Sequence, residues 1–208
     1  RKMTQQKMHM FSTETALRKF QINTQSDTIY VNLNYLAELS EYFHILRTGF
    51  YSEMTAEKVN LNDVFAEDLV VFLSYVCPDG FEFDRTINQH NITPLVYFSD
   101  RLVFPWVKRE VHKYLNSEAF QNEIYDTELL VQLCYLLHSQ NYSEIDVVFK
   151  KIALIDNPLV VDRLVQEITD SDVQSFFTKK ILQYRPYTEK PRPQMFFDWD
   201  HTPYSAYV

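Results

Sequence analysis

Glycine, cysteine and tryptophan are scarce in this sequence, with two of each among 208 residues. Two glycines cannot supply the Gly-rich loops that cradle phosphates, nor a sheet built on many tight glycine turns. Cys77 and Cys134 stand far apart, which excludes a disulfide framework and zinc-ligand spacing and points to a reducing compartment, cytoplasmic or nuclear. No apolar run approaches the roughly 20 residues of a membrane span. The opening RKMTQQKMHM lacks the apolar centre of a secretory signal. His9, His44, His90, His112, His138 and His201 follow no metal-ligand spacing, and there is no nucleophile elbow, Walker loop or dinucleotide fingerprint. Neither an enzyme nor a cofactor is expected. Cys134, set among apolar residues, reads as a core thiol, and His138 as a favourable charge at a helix end.

A net charge of −8 argues against a surface that tracks phosphates, so nucleic acid is not an expected partner. Arg1, Lys2, Lys7, Arg18 and Lys19 cluster early. The simpler reading is a solvated end, flexible over residues 1–13, rather than a nucleic-acid arm. Hydrophobic residues make up 46% and aromatics 15%, enough to fold most of the chain around a core.

TALRKFQIN (15–23) and TIYVN (28–32) read as strands joined through TQSD, a hairpin. In YLAELSEYFHILRTGF (35–50), Ser40 is a good N-cap, which splits the run into helices near 33–39 and 41–47, with Gly49 ending the second. EKVNLNDV (57–64) alternates as a third strand, and AEDLVVFLSYV (66–76) is a helix with Glu67 and Asp68 at its positive end and Pro78 stopping it. Thr93-Pro94 predicts the next helix start, and Pro105 the one after, over 106–115. From about residue 126 there is no strand signal. Four helices are predicted, opened by Asp126 or Thr127, by Ser143 with Asp146, by Asn157-Pro158, and by Asp170 or Ser171. The short connections suit antiparallel neighbours. After Gln183 the periodicity ends and prolines 186, 191, 193 and 203 mark a tail.

The ordered set TIYVN, LNYLAELSEYFHIL, KVNLNDV and AEDLVVFLSYV resembles a BTB/POZ domain, through Leu36-Ala37, Ser40, Tyr42-Phe43 and Asn62-Asp63-Val64. DRLVFPWVKREVHKYL (100–115) is similar to that family's last helical pair. The helices from 126 to 183 resemble the 3-box or short BACK extension of ubiquitin-ligase adaptors. The implied fold class is α+β: a BTB/POZ domain over 14–116, an all-α extension over 117–184 and a tail over 185–208. The implied function is a homodimeric adaptor whose side surface grips cullin-3 while another part holds a substrate protein. A scaffold that recruits its partner without cullin-3 is the alternative. The family's hydrophobic-x-Glu motif corresponds to Leu46-Arg47-Thr48, so a threonine stands where the glutamate would be. Lys19 and Asn32 stand where the family often has Asp and His.

Two surfaces follow. Leu36 and Leu39 can supply the core-facing pair of the first helix, leaving Tyr35 for a seam between two copies or for packing on its own chain; Leu39 and Tyr42 are assigned to the same dimer interface. Leu46, Thr48, Phe50 and Tyr51 form the candidate cullin or partner groove, with local loop packing as the other reading. The tail aromatics Phe196, Phe197, Trp199 and Tyr204 are candidates for binding a partner as an extended peptide. Docking on the chain's own helices, or disorder, are the competing readings.

Overall fold

The computed structural model describes residues 2–49, 57–77 and 85–185, with side chains from residue 7 onward. A hairpin begins the sheet. Phe20–Thr24 (β1) and Thr28–Val31 (β2) pair antiparallel, with Phe20 opposite Val31 and Asn23 opposite Thr28. Thr24 closes the turn: its hydroxyl donates to the Asp27 carbonyl (2.7 Å) and accepts from the Asp27 N–H (3.1 Å). Phe20, Ile22, Ile29 and Val31 alternate onto one buried face. The first strand is shorter than predicted because Thr15 and Arg18 fold the chain into a turn just before it, the Arg18 N–H reaching the Thr15 hydroxyl at 3.0 Å.

Lys58–Leu61 (β3) joins the other edge of β1 in parallel, giving the order β2-β1-β3. Between β2 and β3 run Leu33–Leu39 (α2) and Glu41–Thr48 (α3), divided at Ser40 as predicted. The Ser40 hydroxyl accepts from the Phe43 N–H (3.2 Å) and donates to the Leu102 carbonyl (2.6 Å), so one buried side chain starts α3 and ties it to a distant corner. Gly49 closes α3 with φ −76°, an extended geometry that does not call on glycine's freedom. Positive φ falls instead on Glu57, Val103 and Asn141.

Lys2–Phe11 (α1) is a helix, which corrects the expectation of a flexible end. Met8 and Met10 pack against the core and Phe11 lies within it, so apolar burial on the next helix fixes a segment that its basic residues made look solvated. That next helix, Ala66–Val76 (α4), is enclosed on nearly every side and packs on α1 and β2. Ile92–Arg101 (α5) and Pro105–Leu115 (α6) complete the first half. Helix α5 starts before the predicted Thr93-Pro94, because Asn88 and Asn91 make the entry turn: the Asn91 side chain accepts from the Asn88 N–H (2.9 Å).

A short helix that the sequence reading passed over, Glu118–Asn122 (α7), is capped by Ser117, whose hydroxyl accepts from the Phe120 N–H. Thr127–Ser139 (α8), Ile145–Ala153 (α9), Pro158–Gln166 (α10) and Ser171–Tyr184 (α11) follow close to expectation. Asp170 caps α11 through the N–H groups of Asp172 and Val173, whereas the Ser143 hydroxyl turns to Glu144 instead of capping α9. Helix α8 packs on α5, and a single apolar cluster extends from Phe11 through Phe72, Leu133 and Phe149 to Ile181. The two halves share one core.

Candidate functional site

The predicted seam lies along α2 and the start of α3. Tyr35 and Leu39, four residues apart, share a helix face. Both are half-buried, as is Tyr42 on α3. The Tyr35 hydroxyl donates to the Val76 carbonyl at the end of α4 (2.9 Å), which fixes its ring while leaving part of it accessible. Tyr42 stands edge-on to Phe43 at 5.2 Å. Ile45 is 46% exposed one turn further on. Asn32, in place of the family's histidine, has a local job: its side chain accepts from the Tyr35 N–H (3.2 Å) and caps α2.

Of the candidate groove, Leu46 and Thr48 are among the described residues. Leu46 is only 7% exposed and packs inward, so it belongs to the core rather than to a partner surface. Thr48 is exposed, and its hydroxyl donates back to the His44 carbonyl (2.8 Å). Phe50 and Tyr51 lie outside the described residues, as do Phe196, Phe197, Trp199 and Tyr204.

Two concavities were invisible to pattern reading because they join residues distant in the chain. One, of about 300 Å³, opens between α1, α2 and α4 beside Tyr35 and is lined by Phe11, Leu17, Leu36, Leu73 and Cys77. Burial pushes the Cys77 thiol up to about 12, with Arg18 and Arg85 opposing, so it is un-ionised and inert at neutral pH. The other, of about 450 Å³, lies where α8 meets the first half, between Asp63, Phe65, His90, Tyr97 and Leu129. At its edge Arg101 holds Asp63 through two contacts of 2.6 Å and lies over the Tyr97 ring. The hydrogen bonds from Arg101 lower the Asp63 carboxyl.

Polar contacts fasten the helical half onto the first half and tie α9 to α7 within it. The Glu123 carboxylate accepts from the Tyr114 hydroxyl and from the Gln89 N–H (3.0 Å), and Tyr114 and Tyr125 share a hydrogen bond of 2.7 Å. Lys151 on α9 donates to the Phe120 and Gln121 carbonyls (both 2.9 Å) and lies over the Phe120 ring. Burial lowers its ammonium, with Glu123 opposing. His112 on α6 meets Glu144 at 2.7 Å and stacks on Tyr142. Burial works against the Glu144 charge, but the bonds from His112 and Ser143 outweigh it and leave the carboxyl lowered.

Among the described residues no group of His, Cys, Asp and Glu could hold a metal ion, and no helix is long and apolar enough to cross a membrane. Half-buried apolar residues such as Tyr35, Leu39 and Tyr42 lie on the protein's surface. A profile of the BTB/POZ domain matches residues 11–119, spanning the sheet and α2 through α6. The chain belongs to the BTB/POZ family, whose domains are interaction modules as a rule. No curated protein matches the sequence.

Proposed function

We propose that the protein is a homodimeric BTB adaptor working through protein–protein contacts in the cytoplasm or nucleus. The helical half, akin to a 3-box or BACK extension, holds the partner. The observation that carries this reading is the set Tyr35, Leu39, Tyr42 and Ile45 on the consecutive helices α2 and α3, all left partly accessible in a BTB fold. Burying such side chains against a second copy contributes roughly 1.5–3 kcal/mol for each one fully covered, before association costs. Sedimentation at micromolar concentration tests it: twice the chain mass is expected, and a monomer rejects the homodimer.

Cullin-3 is the partner that the resemblance to ligase adaptors suggests. A specific observation favours the alternative, a scaffold that leaves cullin-3 unbound: Thr48 bonds to its own helix where the family's glutamate would point outward. Calorimetry with the N-terminal domain of cullin-3 decides between them. No heat is expected from the wild type, and binding is expected to appear in Thr48→Glu, a change at an exposed position that the fold tolerates. Binding by the wild type would return the protein to the ligase adaptors.

A further inference from the structure

Resting on that homodimer, we propose that its lock is Leu17: each copy inserts this side chain into the pocket between α1, α2 and α4 of the other. Leu17 is 75% exposed, yet it is not on a loose end. The Thr15 N–H donates to the Arg18 carbonyl (3.1 Å) and the Arg18 N–H to the Thr15 hydroxyl (3.0 Å), which closes the turn around it. Arg18 is directed inward, donating to the Met10 carbonyl with its guanidinium over the Phe11 ring. With its neighbour so held, Leu17 is presented outward as a fixed apolar knob.

The pocket at its foot is the complement. Phe11, Leu36, Leu73 and Cys77 are buried around it. Its polar members already have partners within the chain: Asn32 caps α2, Tyr35 bonds to Val76, and Arg18 bonds to Met10. A polar small molecule would find little to bond, whereas a branched aliphatic side chain matches the apolar lining and enters a volume of about 300 Å³ with room to spare. Because Leu17 forms part of the pocket's own rim, knob and hollow lie side by side on one surface. A patch of that kind is self-complementary about a two-fold axis, which is the requirement for an isologous dimer. Tyr35 belongs to both the pocket and the seam, so the lock continues the surface already assigned to self-association. On the other side of Leu17 the rim carries Lys19 and Glu57, one charge of each sign, so no block of like charge opposes a second copy.

The test compares sedimentation of the full chain with that of Leu17→Asp and, as a control, Leu159→Asp, an equally exposed site on α10 (77%). The lock predicts a dimer dissociation constant raised about 100-fold or more in Leu17→Asp, since two knobs are lost per dimer. It also predicts an unchanged circular dichroism spectrum and melting temperature of the dissociated chain, an unchanged Leu159→Asp dimer, and recovery in Leu17→Met. A dimer that Leu17→Asp leaves intact, or that both aspartates weaken equally, overturns the lock and spares the homodimer. A wild-type monomer overturns the homodimer itself.

Discussion

The first half of the molecule buries three serines, whereas the helical half buries none among the described residues. Ser40, Ser74 and Ser99 are the buried polar residues among those described, and all three belong to the BTB half. Beyond α7, the ties within the helical half are ion pairs near solvent, Lys180 with Asp146 and Arg185 with Asp162, each at 2.8 Å. A buried hydroxyl admits few arrangements because the others leave it without a hydrogen-bond partner. Packed apolar faces admit small adjustments. The BTB half is therefore specified by geometry, and the helical half by patterning and capping. They nevertheless share one core, so they should unfold together.

The largest effect tests that shared core. Phe72 and Phe149 are both fully buried, one in each half. Truncating either to alanine should cost about 3–5 kcal/mol. Calorimetry should show one lowered transition in both variants, and two separated transitions in Phe149→Ala would mean that the halves are independent units. Next comes Ser40→Ala, which removes a cap and leaves the Leu102 carbonyl bare, at about 2 kcal/mol in urea unfolding. A loss below about 0.5 kcal/mol would remove the claim that hydroxyls specify this half.

Lys151→Met keeps the stem of a side chain that joins α9 to α7 and removes two hydrogen bonds and two cation–π contacts. About 1 kcal/mol is expected, with faster amide exchange in α7 than in β1. The smallest effect is set by pH. The Glu144 carboxyl is lowered in the fold from its ordinary 4.5. Its contribution is therefore complete above that value and is lost as pH falls through the lowered one. A few tenths of a kcal/mol are at stake for a contact near the surface. The advantage of the wild type over Glu144→Gln should hold above about pH 5 and vanish on further acidification; an advantage that grew with acid would have the wrong sign.

Local chemistry explains which elements could be read from the sequence. Ser40 divided α2 from α3 because a hydroxyl at that position has nearby N–H groups to accept from. Asp170 worked in the same way, whereas Pro105 and Pro158 marked the starts of α6 and α10 because a proline nitrogen carries no N–H to leave unbonded. Reading failed where one competent residue had a closer alternative. Thr93 lost its capping role to the Asn88–Asn91 turn and its hydroxyl is buried without a partner, and Ser143 turned to Glu144. The start of β1 was misplaced because Thr15 and Arg18 bond to each other, and that turn is what exposes Leu17. On the candidate surface, Tyr35 could be named from helical spacing. The pocket beside it could not, because its walls come from four separate elements. Leu46 was misjudged because α3 buries Phe43 and Leu46 but leaves Ile45 exposed, and spacing alone does not say which one faces out.

The parallel pairing of β1 with β3 has a kinetic side. Gln21 must meet Lys58, and the chain between them includes β2, α2 and α3. The β1–β2 hairpin closes over a few residues and can form early, but β3 gains its place only when the helical crossover is compact. A chain emerging from the ribosome would hold an incomplete sheet, with one edge of β1 open, until residue 61 is free to add. During that interval the exposed edge of β1 is where a nascent copy is most vulnerable to mispairing with its neighbour.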